Sequence, residues 1–130
     1  GIEAMARVWA IEALERLDLW DDEVDAAGLG ALLEVGALDE LTVLELGKNP
    51  QLGDDGVRRL CQRSQAVEGL HELGLFDCGI GEEGLEALLQ CEALSSLTTL
   101  NLKQNPGLDR PNMLHVLEST PHLQGTRIIT

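Results

Sequence analysis

The residues most able to do chemistry are few, and their spacing argues against most of it. Gly79-Ile80-Gly81-Glu82-Glu83-Gly84 has the form GxGxxG, which in a strand-turn-helix unit brings a pyrophosphate against free N–H groups at a helix N-terminus. Glu82 and Glu83 stand where that phosphate would sit and repel it, so no dinucleotide is expected. His71, His115 and His122 contain no i, i+4 pair to offer two imidazoles to a metal from one helix face. Ser64, Ser95, Ser96 and Ser119 sit in no nucleophile elbow, and no His is placed by sequence pattern to activate a cysteine. Cys61, Cys78 and Cys91 are odd in number and in no ligand spacing, which suits reduced thiols inside a cell better than a disulfide framework. The expectation is a protein that is not an enzyme and holds no cofactor or metal.

The 130 residues carry 23 acidic and 9 basic side chains, a net charge of −14, and 44% of them are hydrophobic. That apolar content suffices for a packed core, and the length suits one domain. With one Phe, no Tyr and two Trp, the core must be aliphatic. An acidic surface repels phosphate, and the aromatic platforms that stack bases are missing, so nucleic acid and anionic membrane are poor partners. Charge favours a basic protein instead. No apolar run approaches the roughly 20 residues of a membrane span, and the first residues lack the pattern of a signal peptide. No membrane insertion is expected, and the location is read as intracellular, with the cytoplasm first and an organelle as the alternative because the chain reads as opening inside a longer array.

The elements that must position any functional residue come from an internal repeat. Leu-x-x-Leu-x-Leu starts at Leu14, Leu41, Leu70 and Leu97, with a decayed fifth copy Leu123/Thr126/Ile128, so the starts lie 27, 29, 27 and 26 residues apart. Three residues past the last Leu of each full copy stands Asp22, Asn49, Cys78 or Asn105, and then Val24, Leu52, Ile80 or Leu108. Four residues further come Gly28, Gly56 and Gly84, with Asn112 in the fifth slot. The alternating leucines point to one side of a short strand, and the following segments show helical periodicity. Helices are expected near 2–12, 26–37, 54–66, 82–93 and 110–119, and strands near 15–19, 42–46, 71–75, 98–102 and 125–129. A unit of one strand and one helix cannot bury both apolar faces alone, so the units stack. The formal GxGxxG is then explained without a ligand, because Ile80 and Gly84 are repeat positions. Cys61 aligns with Leu33 and Leu89 as a small apolar residue, Cys78 replaces the turn Asn, and Cys91 aligns with Val8 and Val35.

Four such copies in register, with their Asn/Cys position and downstream Gly, resemble the leucine-rich repeats of the ribonuclease inhibitor type, whose units have 28 or 29 residues. The resemblance covers the whole chain and implies an α/β right-handed solenoid, a horseshoe segment with a parallel sheet on the concave side and α-helices on the convex side. Residues 1–13 read as the helix of a preceding repeat, repeats begin near 14, 41, 70 and 97, and 123–130 form a partial, decayed repeat. The opening inside a helix, without a polar cap, reads as a piece of a longer array, with Trp9 packed on the repeat before it. The resemblance implies non-enzymatic recognition of a protein through the concave sheet and loops. Two other readings follow from the fold: a structural subunit covered by a large complex, and a GTPase activator of the Ran type. The latter rests on fold analogy alone, since no residue here matches a catalytic role.

Within Leu-x-x-Leu-x-Leu-x the third, fifth and seventh positions point away from the core. The seventh-position column reads Trp20, Gly47, Phe76, Lys103, Ile129; the fifth Asp18, Glu45, Gly74, Asn101, Arg127; the third Arg16, Val43, Glu72, Thr99, Gly125. Strand spacing of about 4.8 Å separates Trp20 from Phe76 by about 10 Å, leaving a trough floored by Gly47 that would admit one partner side chain. Asp18, Trp20, Glu45, Gly47, Glu72, Phe76, Lys103 and Arg127 are the expected contacts of a protein partner. Acidic residues also gather at each helix start: Asp21, Asp22, Glu23 and Asp25, then Asp54 and Asp55, then Glu82 and Glu83, then Asp109. They cap helices and favour the positive dipole end, and stacking would align them into an acidic rim that steers a basic partner.

Overall fold

The structure, a computed structural model, describes residues 15–130. The helix expected over 2–12, the preceding-repeat segment 1–13 and Trp9 lie outside the described residues.

Five three-residue strands, β1 (Arg16–Asp18), β2 (Val43–Glu45), β3 (Glu72–Gly74), β4 (Thr99–Asn101) and β5 (Arg127–Ile129), form one parallel sheet in the order β1-β2-β3-β4-β5. They are shorter than expected, yet the ladder runs on past them, because Leu19, Leu46, Leu75 and Leu102 each donate an N–H to the next strand's carbonyl. Between strands run α1 (Ala26–Glu34), α2 (Gly53–Gln62), the short α3 (Ser64–Val67), α4 (Glu82–Gln90) and α5 (Met113–Glu118). Each long helix ends earlier than its periodicity implies. Arg63 and Cys91 leave helical geometry (φ −107°, ψ 92° and φ −87°, ψ 79°), and α3 and a 3-10 turn over Glu92–Ser96 carry the chain back to the sheet. Arg63 then forks onto Asp39 of the neighbouring repeat through two bonds of 2.7 and 2.6 Å. That guanidinium pair holds the Asp39 carboxyl below its usual range.

The core is the leucine set. Leu17, Leu44, Leu73 and Leu100 pair in register across the strands, all at most 4% exposed, and face Leu29, Leu32, Val57, Leu60, Leu85 and Leu88 of the helices. A helix and a strand of this length have no second layer of their own, so burial comes from the adjacent repeats.

Backbone polar groups at the turns are satisfied by buried side chains one repeat away. Asn49 accepts from the Asp22 and Val24 N–H groups and donates to the Leu19 and Leu46 carbonyls. Asn105 repeats the pattern with the Cys78 and Ile80 N–H groups and the Leu75 and Leu102 carbonyls. Cys78 can stand between them because the turn above it makes fewer demands. That turn is one residue longer, contains Pro50, which has no N–H, and bonds to itself through Leu52 N–H and the Asn49 carbonyl at 2.9 Å. Cys78 takes the Asn49 N–H and places its sulfur 3.0 Å from the Leu46 carbonyl, while burial pushes its thiol up to about 12. The residue after each seventh position, Asp21, Lys48, Asp77 and Gln104, is left-handed, with φ between 50° and 63°. Its N–H reaches the next repeat's seventh-position carbonyl wherever such a repeat follows, as in Asp21 to Gly47 at 2.9 Å.

The last repeat departs from the expected register. Ile128, not Thr126, pairs with Leu100, and Arg127 pairs with Thr99. Leu123 takes the place of Leu94, each accepting the N–H three residues on. In the expected register the Thr126 hydroxyl would face the core; in the observed one it donates to the Leu97 carbonyl at 2.9 Å and Ile128 turns inward.

Candidate functional site

The outward columns of the sheet hold several chemically distinct side chains side by side through the repeat itself. With the observed register, the third-position column is Arg16, Val43, Glu72, Thr99, Arg127 and the fifth is Asp18, Glu45, Gly74, Asn101, Ile129. Arg127 therefore belongs beside Thr99 rather than Asn101, and Ile129 leaves the seventh column for the fifth. Asp18, Glu72, Lys103 and Arg127 are exposed, Glu45 and Phe76 are half-buried, and Gly47 is buried.

Three of the fifth-position side chains brace the ends of β1, β2 and β4. Asp18, Glu45 and Asn101 accept the N–H of Trp20, Gly47 and Lys103 at 3.0, 2.8 and 3.1 Å. Glu45 also lies across Gly74, in the space that a Cβ there would fill. Burial pushes its carboxyl above the usual range, partly offset by the Gly47 N–H. Beside it, a shallow depression of about 180 Å³ crosses β2 to β4, lined by Glu45, Glu72, Gly74, Thr99, Asn101 and Ile129.

The trough expected between Trp20 and Phe76 is closed. The two rings lean towards each other over Gly47 and stack, with centroids 5.4 Å apart and planes at 13°. A separation of about 10 Å describes where the strands start the two side chains, but each ring spans half the gap, and the missing Cβ of Gly47 gives Trp20 room to lie down. A Cβ at that position would run into the Trp20 ring. Water is kept from one face of each ring, and Trp20 stays 42% exposed on the other. Lys48, which column reasoning missed because it follows the seventh position, brings its ammonium to 5.9 Å from the Trp20 centroid. Its backbone is left-handed, at φ 60°, and nothing in residue spacing signals the contact.

The acidic rim is less free than the sequence implies. Asp25 caps α1 by accepting the Gly28 N–H at 2.7 Å, and Asp54 accepts the Gly81 N–H of the next repeat at 2.6 Å. Arg58 pairs with Glu83 at 2.8 Å, Arg59 with Asp55 at 3.1 Å, and Arg110 lies 3.8 Å from Glu82. Of the rim acids among the described residues, Asp21, Asp22 and Glu23, next to Trp20, and Asp109 are in no ion pair. No three His, Cys, Asp or Glu side chains converge as a metal cage among the described residues, and no helix there is long and apolar enough to cross a membrane.

A parallel sheet with one strand per 27 to 29 residues, helices behind it and an Asn/Cys ladder at the turns is the architecture of a leucine-rich repeat solenoid. The family model described as Leucine Rich repeat matches residues 41–61 and 70–89, two successive units of that solenoid. The chain is also similar to a protein named Protein Cep78 homolog, from Drosophila melanogaster, at 24% identity over 79 residues. That stretch is 60% of this chain and 10% of the relative, so the chain spans a small part of that protein's length.

Proposed function

We propose that this chain is a non-enzymatic protein-recognition module that binds its partner on the concave sheet face, with the Trp20–Phe76 stack as the anchor. Leucine-rich repeat domains commonly bind proteins. The observation that carries the reading is the exposed face of Trp20, 42% accessible, stacked on Phe76 on the outward face of the sheet. A large aromatic with its rotamer fixed before binding loses little entropy when covered, which is the property of binding hot spots. Asp18, Glu45, Glu72, Lys103 and Arg127 supply the polar contacts around it. The partner is a protein with basic groups, drawn by the net charge of −14 and by Asp21, Asp22 and Glu23 beside the anchor.

The test is affinity capture with the chain and with Trp20→Ala, Phe76→Ala and Val35→Ala in parallel, followed by titration of the captured protein. The concave reading requires a partner that both aromatic variants lose and that Val35→Ala, altered on the helical side, retains. A second reading has one observation in its favour: Leu114 and Val116, each 42% exposed, lie on α5 away from the sheet. A partner lost on Leu114→Ala and Val116→Ala but kept by the aromatic variants would make the chain a subunit covered on its helical side.

A further inference from the structure

Two of the three cysteines meet across a repeat boundary. Cys61 lies one residue before the end of α2, and Cys91 is the first residue after α4. The Cys91 sulfur sits 3.9 Å from the Cys61 carbonyl oxygen, which brings the two cysteines into contact across the boundary. Elsewhere in the array the places of Cys61 are taken by Leu33 and Leu89, and those of Cys91 by Val35 and Arg63. The repeat does not require a thiol at either place, and only this boundary has one at both. Cys61 is half-buried and Cys91 is 7% exposed, so a small oxidant reaches the pair while large ones are kept out.

We propose that Cys61 and Cys91 form an oxidation site that consumes hydrogen peroxide and closes a disulfide between the second and third repeats. The neighbouring Cys61 side chain and the backbone N–H groups of Leu94 and Ala93 favour the thiolate on Cys91, against burial, whereas the neighbouring Cys91 and burial keep the proton on Cys61. The Cys91 thiolate attacks one peroxide oxygen. The O–O bond breaks, hydroxide leaves and takes up the proton that Cys91 released, giving water and a sulfenic acid on Cys91. The Cys61 sulfur then attacks the Cys91 sulfur, the S–S bond forms, the S–OH bond breaks, and the Cys61 proton goes with the departing hydroxide as a second water. Two thiols lose two electrons and the peroxide gains them. Cys78 takes no part, being fully buried in the turn ladder and bound to the Leu46 carbonyl.

The experiment treats the folded 130-residue chain with hydrogen peroxide, blocks remaining thiols, and maps cysteines by mass spectrometry without reduction, alongside Cys61→Ser and Cys91→Ser. The expected product is a monomer lighter by two hydrogens, with the Cys61 and Cys91 peptides joined and Cys78 blocked as a free thiol. With a sulfenic-acid trap present, Cys61→Ser should accumulate adduct at Cys91, roughly tenfold more than Cys91→Ser accumulates at Cys61. Recovery of both cysteines as free thiols, their separate over-oxidation, or a bridge to Cys78 or to a second chain would overturn the site. The reverse trapping pattern would overturn the assignment of Cys91 as the attacking thiolate.

Discussion

Asn105→Ala should be among the most damaging single substitutions in the molecule, because one side chain closes four backbone groups from two repeats. Asn105 is 3% exposed and accepts the Cys78 and Ile80 N–H groups at 2.9 and 3.1 Å while donating to the Leu75 and Leu102 carbonyls at 2.7 and 2.9 Å. Alanine leaves both N–H groups buried without an acceptor, at about 1–3 kcal/mol each. The carbonyls lose less, since each retains a second lone pair. The sum is about 4 kcal/mol, against a total of about 5–15 kcal/mol for a folded domain. Asn105→Asp is the informative companion. It keeps both acceptors but turns a carboxylate towards two carbonyl oxygens, so its folded pKa rises above the unfolded value. Its deficit should therefore be largest at neutral pH and shrink as the pH falls through that raised pKa, when protonation restores an O–H donor. Urea unfolding followed by far-ultraviolet circular dichroism measures both, and amide exchange at Cys78 and Ile80 reports the local loss. If Asn105→Ala costs no more than about 0.5 kcal/mol, as expected of Glu72→Ala on the exposed face, the account of the turn ladder is wrong.

Leu73→Ala and Leu100→Ala, both at most 1% exposed in central strands, should each cost about 2–5 kcal/mol in the same melts. Gly79 has φ +68° and no room for a Cβ against the Pro50 carbonyl oxygen, so Gly79→Ala should lose about 2 kcal/mol or more, whereas Gln104→Gly, at φ 63°, should gain up to about 1 kcal/mol. Glu45→Gln removes a carboxylate whose folded pKa is raised: wild type should lag the variant at neutral pH and match it once the pH falls below the unfolded pKa. Asp39 has the opposite sign, its pKa being lowered by Arg63, so Arg63→Ala should destabilise at neutral pH and converge with wild type as acid titrates Asp39. For binding, Trp20→Ala and Phe76→Ala should each weaken the partner by more than about 1 kcal/mol, chiefly through faster dissociation, whereas neutralising Asp21, Asp22 and Glu23 should slow association by an amount that fades with salt.

The architecture was legible in the sequence because a repeat prints the same local physics several times. Leu17, Leu19, Leu44 and Leu46 alternate at the period of a strand, Leu29, Leu32 and Leu33 recur at that of a helix, and both periods are properties of a single backbone segment. Four copies in register also fix which residues face outward, so Trp20, Glu45, Phe76 and their neighbours could be placed on the sheet surface before any coordinates. What spacing does not contain is how far a side chain leans or which neighbour it meets 25 to 30 residues away. The stack of Trp20 on Phe76 exists because Gly47 leaves a gap that both rings fill, the pairing of Arg58 with Glu83 neutralises charges that read as a free rim, and the Cys61–Cys91 contact joins residues at different repeat positions. The last repeat shows the boundary most plainly: Leu123 and Ile128 fit the written pattern, but the chain slid until Thr126 met a carbonyl and Ile128 met Leu100, since a hydroxyl facing the core would have gone unpaired. Local periodicity chose the elements; competition among neighbouring side chains for space, charge and hydrogen bonds chose the surface.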